Sequence, residues 1–259
     1  MDNSGQQAFI GRIRSVLGHA PDARRTREDL CTSQFTKETG VILDRIKNRS
    51  TAGRQQLIDR LMEMAAPINL KVTVVKDRAA ATAAIGDLVR DKAPEFGDRK
   101  QVVRWQHPLL ESLNLADALA AQNVPLHVTE FKGSSAAEDA ANQERDQIRK
   151  NVIDSYIGIT SADFCMAETA TLVMRTRPGQ ARSVSLVPSI HVAVITLDQI
   201  IADLKELYAL INFDPDLQNE GLTNCMTFIS GPSKTADVEA TMVHGAHGPR
   251  EVHVYVISG

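Results

Sequence analysis

The chain has 259 residues, 43% of them hydrophobic, which suits one large domain, or one domain with a small appendage, and a substantial core. Its formal net charge of −3 and its aromatic content of 4% argue against a basic, base-stacking surface for nucleic acid. The three cysteines, Cys31, Cys165 and Cys225, are too dispersed for an iron–sulfur or disulfide framework within this chain.

The first 49 residues predict a helical arm followed by a linker. Apolar side chains recur at helical spacing over residues 2–18, and residues 19–34 are rich in Arg, Asp and Thr. The first 60 residues carry a net charge of +4, so the arm is either a solvated basic surface or a dock for an acidic partner. A helix packed on its own domain is a further alternative. No export signal or membrane-length apolar run is visible, so we expect a cytoplasmic protein.

From residue 50 onwards, helix and strand patterns alternate with short connections. Ser50, Asp77 and Asn114 can each cap a helix, and Ser135 opens a long charged helix. Strands are predicted at 70–75, 101–105 and 126–129. This alternation indicates βαβ units, and hence an α/β fold with a mostly parallel sheet and helices on both of its faces.

Polar side chains in the stretch 158–193 stand next to apolar strands. We predict a short helical segment containing Cys165, a turn at Glu168, a strand over 171–176 and a second strand that begins at His191. Buried polar groups are costly unless they pair or bind something. Because open parallel sheets bind ligands at the carboxyl ends of their strands, we expect a site there. The sequence TLDQ at 196–199 then predicts a capped helix that runs to Ile211.

A glycine-containing loop follows a predicted strand at 226–229. If a helix follows it over 236–243, the loop 231–235 aims backbone N–H groups at an anion, and Lys234 adds positive charge. An ordinary helix cap is the alternative interpretation. The loop is not a Walker A sequence, because Ser233 precedes the lysine where that motif needs glycine. The last strand is predicted over 252–257.

The pair His244 and His247 lies on a turn that contains two glycines and a proline. No nearby Cys or acidic cluster supplies a third ligand at metal spacing, so we predict no metal site. A histidine in this turn instead either lines a ligand pocket or makes a structural hydrogen bond.

Four stretches, taken together, resemble the signatures of the LUD domain family, which is the family of lactate utilisation protein C. They occur in the family's order within residues 50–259: AETAT at 167–171, LVPSIH at 186–191, GPSKTADVE at 231–239 and GAHGPR at 245–250. One position departs from the family pattern, because Ala170 stands where the family usually has glycine. If the family's glycine provides a left-handed backbone conformation or lets a ligand approach closely, Ala170 must do so here although it carries a side chain.

The resemblance implies a NagB/RpiA/CoA-transferase-like fold for residues 50–259. It also implies a component of a cytoplasmic system that oxidises L-lactate to pyruvate together with iron–sulfur partner proteins. No cofactor is then expected on this chain, and the iron–sulfur clusters are expected on the partners. The chain would be a subunit of an oxidoreductase complex rather than an enzyme alone.

Two alternatives stay open. One is a stand-alone enzyme of the CoA-transferase or sugar-phosphate-isomerase type, in which Glu168 would be the nucleophile by analogy of fold. The other is a non-catalytic subunit for ligand binding or assembly.

Glu168 is the candidate catalytic residue. Arg182, which follows a Pro-Gly turn, suits a clamp for a carboxylate or phosphate, the small anionic ligand that we expect. The candidate ligand-binding residues are a glycine and the polar or charged side chains of the motif stretches: Thr169, Thr171, Arg182, His191, Gly231, Ser233, Lys234, Thr235, Asp237, Glu239, His247 and Arg250.

Overall fold

A computed structural model of the chain describes residues 4–18, 34–95, 97–131, 138–221, 223, 225–236, 242–245 and 247–259. Its contacts divide the chain into residues 1–40 and residues 41–259. The predicted N-terminal helix is present as α1 (Ser4–Val16), with Phe9, Ile13 and Val16 exposed. The predicted linker falls almost entirely outside the described residues.

Helix α2 (Lys37–Lys47) crosses the boundary between the two units and was not expected from the sequence. Its Leu43 and Ile46 belong to the second unit and pack there on the apolar cluster that contains Met166 and Val173. The assignment of residues 1–49 to an arm stays a prediction.

Six parallel strands form the main sheet. They are β1 (Leu70–Val75), β2 (Val102–Arg104), β3 (Leu126–Val128), β4 (Ile157–Thr160), β7 (Ile190–Thr196) and β12 (Glu251–Ile257), in the spatial order β1-β12-β7-β4-β2-β3. Every neighbouring pair in this sheet is parallel. The prediction of an α/β fold with a mostly parallel sheet is therefore confirmed.

Helices connect these strands, and two of the predicted caps are present. The helices are α3 (Thr51–Ala65), α4 (Arg78–Asp91), α5 (Pro108–Glu111), α6 (Leu115–Ala120), α7 (Glu138–Asp154), α8 (Ser183–Leu186), α9 (Leu204–Phe213) and α10 (Pro215–Glu220). Ser50 Oγ accepts from the Gly53 N–H, and Asp77 Oδ1 accepts from the Ala80 N–H. Asn114 precedes α6 in a left-handed conformation without a side-chain cap bond, so that predicted cap is wrong.

A second sheet of four strands was not predicted. Its order is β8-β5-β6-β9, formed by β8 (Ile200–Ile201), β5 (Phe164–Met166), β6 (Thr171–Arg175) and β9 (Met226–Ile229). Residues 164–166 therefore form a strand, and the prediction that Cys165 lies in a helix is wrong. Likewise, the predicted helix over 196–211 is broken. The capping box closes only a short 3₁₀ turn, and β-branched Ile200 and Ile201 then pair with β5 before α9 begins.

Strand β6 is buried on both of its faces. Leu172 and Met174 point into the core that contains the main sheet, whereas Val173 points into a second apolar cluster with Ile201 and Leu207. This follows from the alternation of side chains along a strand. It explains why the run 172–174 carries no polar residue.

The predicted helix over 236–243 is also absent from the described part of that segment. Strands β10 (Lys234–Ala236) and β11 (Met242–His244) pair antiparallel as a hairpin. Thr235 is paired with Val243 in the backbone register of this ladder, and β-branched residue types favour a strand over a helix. Asp237 and Glu239 lie outside the described residues.

Across the described ranges, no helix is long and apolar enough to cross a membrane.

Candidate functional site

Three of the four motif stretches meet at the amino edge of the parallel sheet. A cavity of about 880 Å³ opens there, which we call the amino-edge cavity. Its lining is Ala66, Asn69, Leu70, Lys71, Lys92, Ala93, Glu95, Ser189, Ile190, Pro232, Arg250 and Glu251. Ser189, Pro232 and Arg250 come from three separate motifs, so this cavity is the place where the motifs can act together.

The position differs from the carboxyl-edge site expected from the sequence. The stretches 186–191 and 245–250 lead into β7 and β12, so they lie where these strands begin. The loop after β9 was expected to extend from a parallel strand, but β9 belongs to the second sheet and pairs antiparallel with β6. The expected edge is therefore wrong for these motifs.

Backbone hydrogen bonds join the loops into one unit. The Ser233 N–H donates to the Pro249 carbonyl at 2.8 Å, and the Ser233 carbonyl accepts from the Gly245 N–H at 3.1 Å. Ser233 Oγ accepts from the His247 N–H at 3.3 Å. Ser233 thus holds the glycine loop that precedes β10 and the 245–250 turn in a fixed relation.

The third motif is tied to the same unit through Ser189. Its carbonyl accepts from the Arg250 N–H at 2.8 Å. Its hydroxyl donates to Glu95 Oε2 at 3.0 Å, and Glu95 Oε1 accepts from Arg250 Nη1 at 2.7 Å. Glu95 therefore bridges two motif residues, which orients the guanidinium of Arg250 at the cavity.

Glu251 is the centre of the charge cluster on the other side of the cavity. Lys71 Nζ and Lys92 Nζ each donate to its carboxylate at 2.5 Å, and His253 Nε2 lies 3.0 Å from it. Burial alone would raise the pKa of Glu251, but the hydrogen bonds from Lys71, Lys92 and His253 outweigh it and hold the pKa at about 2. Burial lowers the pKa of His253 from its ordinary value.

The cavity carries one positive charge in excess. Three cations, Lys71, Lys92 and Arg250, face two carboxylates, Glu95 and Glu251, while His253 is neutral at pH 7. Lysine ammonium groups are point charges that suit phosphate or carboxylate, and an arginine fork adds directional donors. The arrangement therefore fits a small anion.

The fourth motif stands beside this unit rather than in the cavity lining. Thr171 is buried, and its hydroxyl makes hydrogen bonds with Ser230 Oγ at 2.7 Å and with Thr169 Oγ1 at 2.8 Å. Ser230 directly precedes Gly231, so Thr171 anchors the start of the glycine loop. Glu168 is exposed in the turn between β5 and β6, where its N–H donates to the Ala202 carbonyl at 3.0 Å.

Ala170 adopts the left-handed backbone that the family's usual glycine would provide. Its φ is +47°, and its side chain is fully buried. Only glycine takes this conformation without steric cost, so alanine here strains the turn. Gly231, at φ +84°, has room for no side chain, because a Cβ would lie 2.8 Å from the Ile68 carbonyl oxygen.

The remaining predicted residues do not join the cavity. Arg182 is exposed and donates from Nη1 to Cys225 Sγ at 3.2 Å. Lys234 is exposed on β10, and the side chain of Thr235 lies outside what the structure describes. His191 is fully buried within β7, where its Nε2 lies 2.8 Å from Thr160 Oγ1.

Sequence reasoning missed four charged residues of the cavity: Lys71, Lys92, Glu95 and Glu251. One signal was present, because Lys71 is the single charged residue in the predicted strand 70–75. Its partner Glu251 is 180 positions away, which no local pattern reports. Over the described ranges, no group of three or more His, Cys, Asp or Glu side chains could hold a metal ion.

We expect Glu251→Gln to lower the free energy of unfolding at pH 7 by about 1–3 kcal/mol, because it weakens charge-assisted bonds from two lysines. The folded pKa of about 2 lies below the ordinary value near 4.5, so this stabilisation is complete above that value and disappears as the pH falls towards 2. Urea unfolding at pH 7 and at pH 3 measures the change. The difference between the two proteins should shrink at the lower pH.

Glu63→Gln is the matched control, because Glu63 pairs with Arg60 on the exposed face of α3. It should change stability by less than about 0.5 kcal/mol. A Glu251→Gln protein as stable as this control would show that the lysines do not depend on that carboxylate.

A family model described as LUD domain matches residues 58–257 of the chain. Among solved structures, a DUF162 family protein from Deinococcus radiodurans is 18% identical, with a TM-score of 0.49. The match covers 80% of this chain and 98% of that one.

Curated relatives match over most of their length. Lactate utilization protein C of Halalkalibacterium halodurans is 28% identical over 194 residues, which are 75% of this chain and 76% of the relative. The protein of the same name from Shouchella clausii is 28% identical over 207 residues, 80% and 81% of the two chains. YkgG of Escherichia coli strain K12 is 24% identical over 258 residues, 99% and 98% of the two chains.

Proposed function

The chain belongs to the LUD domain family, and from this premise we propose that it is a component of an L-lactate utilisation system. Relatives named lactate utilization protein C, which match three quarters or more of both chains, support this. One observation carries the molecular part of the proposal. Three motif stretches are tied together around a cavity with excess positive charge, which suits a small carboxylate or phosphate.

We propose further that the system oxidises L-lactate to pyruvate in the cytoplasm and that iron–sulfur clusters lie on partner proteins. The chemistry of Cys165 and Cys225, the two cysteines among the described residues, supports the placement of the clusters on partner proteins. Burial raises the pKa of the Cys165 thiol to about 12, and a thiol that stays protonated is a poor metal ligand. Cys225 accepts a hydrogen bond from Arg182 instead. The chain then works as a subunit of an oxidoreductase complex.

A stand-alone enzyme with a glutamate nucleophile would need Glu168 at a ligand cavity. Glu168 is exposed in the β5–β6 turn and is not among the residues that line the amino-edge cavity. The geometry therefore favours ligand binding by the amino-edge loops over covalent chemistry at Glu168. The remaining alternative is a non-catalytic assembly subunit, and the growth and metal measurements described below distinguish it from a ligand-binding subunit.

Deleting the gene in the source organism should abolish growth on L-lactate as sole carbon source and leave growth on pyruvate intact. The wild-type gene should restore growth. Arg250→Met should restore it poorly, because it removes the guanidinium that Glu95 orients at the cavity. Arg60→Met, on the exposed face of α3, is the control and should restore growth fully. Normal growth of the deletion strain on L-lactate would overturn the proposal.

Two further measurements separate the roles. If Glu168→Gln restores growth as well as wild type, Glu168 has no chemical role and the chain acts as a binding or assembly subunit. Elemental analysis of the purified chain should find no stoichiometric iron or zinc, whereas proteins that co-purify from cells grown on lactate should carry iron. One tight iron per purified chain would contradict the placement of clusters on partners.

A further inference from the structure

We propose that a second ligand site, for a small carboxylate, lies at the carboxyl edge of the parallel sheet. This site is a cavity of about 410 Å³, which we call the carboxyl-edge cavity. It is lined by Trp105, His107, Pro108, Ala162, Asp163, Phe164, Arg175, Arg177, Gln180, Asp198, Gln199, Leu217 and Glu220. The inference does not rest on the proposed function.

The cavity has the position that parallel sheets use for ligands. Residues 105–108 follow the end of β2, and residues 162–163 follow the end of its neighbour β4. The far wall is the end of β6 in the second sheet and the helix α10. Side chains that leave two adjacent parallel strands therefore converge on one space, as they do at many ligand sites of α/β folds.

A buried ion pair forms the base of the cavity. Asp163 Oδ1 accepts from Arg175 Nε at 3.0 Å and forms an ion pair with Arg177 Nη2 at 2.6 Å, and Oδ2 accepts from the Arg175 N–H at 2.6 Å. The side chains of Asp163 and Arg175 are only 8% and 6% exposed. Asp163 is thus fully engaged in holding both guanidinium groups in place.

A second carboxylate covers the same guanidinium groups from the solvent side. Glu220 Oε2 accepts from Arg175 Nη2 at 2.5 Å and from Arg177 Nη2 at 2.8 Å. Its side chain is 51% exposed, and it is the last residue of the short helix α10. The carboxylate of Glu220 shows which chemical group the arginine pair binds, and its half-exposed side chain can turn towards water.

Gln180 is the observation that points to a ligand. It is only 8% exposed and lines the cavity, yet its side-chain amide has no hydrogen-bond partner within the described ranges. Its amide atoms keep access to the cavity, since they are not among the fully buried side-chain atoms without a partner, so they are free to bond a ligand there. The position is fixed, because the Gln180 N–H donates to the Arg177 carbonyl at 3.0 Å.

His107 supplies a second neutral donor. Its Nδ1 accepts from the Leu109 N–H at 3.2 Å, so the proton of the neutral ring sits on Nε2. Burial lowers the pKa of His107, and the nearby Asp163 only partly offsets this, so the ring is neutral at pH 7. The Nε2–H group is then a donor in the wall of the cavity.

Charge balance determines how an anion enters. Arg175 and Arg177 are matched by Asp163 and Glu220, and Asp198 pairs with Arg54. A ligand carboxylate therefore replaces Glu220 on Arg177 rather than adding to it. The Gln180 amide and the His107 Nε2–H then donate to the ligand, and Glu220 turns to solvent.

This exchange predicts opposite effects for two substitutions. Acetate, propionate and succinate are titrated separately into the full-length protein by calorimetry, at constant ionic strength set with chloride. At least one should bind in the millimolar range. Arg177→Met should weaken that binding at least tenfold, because it removes the fork that holds the carboxylate. Glu220→Gln should tighten it severalfold, because it removes the competing charge.

Gln180→Leu separates a ligand role from a structural one. It should weaken binding severalfold and leave the melting temperature unchanged or higher, because the amide has no protein partner to lose. Arg60→Met and Glu63→Gln repeat the two charge changes on a surface pair and should not alter binding.

Three results would overturn the site. One is the absence of binding in both wild type and Glu220→Gln. Another is binding that persists in Arg177→Met but is lost in Arg250→Met, which would place the carboxylate in the amino-edge cavity. A third is weaker binding in Glu220→Gln, which would show that Glu220 does not compete.

Discussion

Replacing Glu206 by glutamine should lower the free energy of unfolding by about 3–5 kcal/mol, the largest loss that we expect from a single charge change. Glu206 is fully buried and accepts from Arg49 Nη2 at 2.6 and 2.7 Å and from Arg45 Nε at 3.2 Å. The Ala202 N–H also donates to it at 2.7 Å. Glutamine would present an N–H group to the Arg49 guanidinium, which is only 11% exposed, and leave this positive charge without its counter-ion.

The ion pair of Glu206 with Arg49 also supports the exposed motif turn at 167–170. Arg49 Nη1 donates to the Ile200 carbonyl at 3.1 Å, so one guanidinium ties the start of α3 to β8. The Ala202 carbonyl in turn accepts from the Glu168 N–H. Loss of Glu206 should therefore loosen the turn at 167–170 as well as lower global stability.

Urea unfolding at pH 7 measures the effect, with the exposed Glu63→Gln as control. The double variant Arg49→Met/Glu206→Met tests the cause, because it removes the two charges that are shielded from water. Arg45 loses its partner as well, but its side chain is 57% exposed and reaches solvent. It should be more stable than Glu206→Gln alone. A loss below about 1 kcal/mol in Glu206→Gln would show that water, rather than the carboxylate, satisfies the arginines.

The parallel sheet could be predicted from sequence because its signals are local. Ser50 and Asp77 cap helices, and apolar runs such as 70–75 alternate with them at short spacing. The second sheet could not be predicted, since β5 and β8 have three and two residues. Segments that short become strands only because a distant neighbour pairs with them, and that partner is set by tertiary structure.

The candidate site could be predicted only in part, because only some of its signals are local. The candidate ligand-binding residues Ser233 and Arg250 do lie in loops that hydrogen bonds join. The counter-ions Glu95 and Glu251 come from a loop and a strand start that look ordinary in isolation. The interactions that give the cavity its charge join residues more than 150 positions apart, so no local pattern contains them.

His191 should make the protein progressively less stable as the pH falls below 6.5. The ring is fully buried, its Nε2 lies 2.8 Å from Thr160 Oγ1, and its Nδ1 has no partner within the described part of the chain. Burial, with a smaller effect from His253, lowers its pKa to about 3. The folded protein therefore keeps this ring neutral over a pH range in which an exposed histidine would be protonated.

The sign follows from proton counting. Between pH 6.5 and about 3 the unfolded chain binds a proton at His191 and the folded chain does not, so acid favours unfolding. The contribution of the neutral His191 ring to the free energy of unfolding is complete above pH 6.5 and falls by ~1.4 kcal/mol for each pH unit below it. His253 and His107, whose pKa values are also lowered, add to the slope of the wild-type protein.

His191→Gln isolates the contribution of this ring. At pH 7.5 the variant should be less stable by about 1–3 kcal/mol, because a buried group is replaced by one of different shape. Its stability should fall less steeply with acid, so the two proteins converge by ~1.4 kcal/mol per pH unit between pH 6 and pH 4. His247→Gln, at an exposed turn position, should leave the wild-type slope unchanged. Parallel pH profiles for wild type and His191→Gln would mean that the buried ring titrates in the folded protein, and that its free Nδ1 reaches a proton acceptor or water.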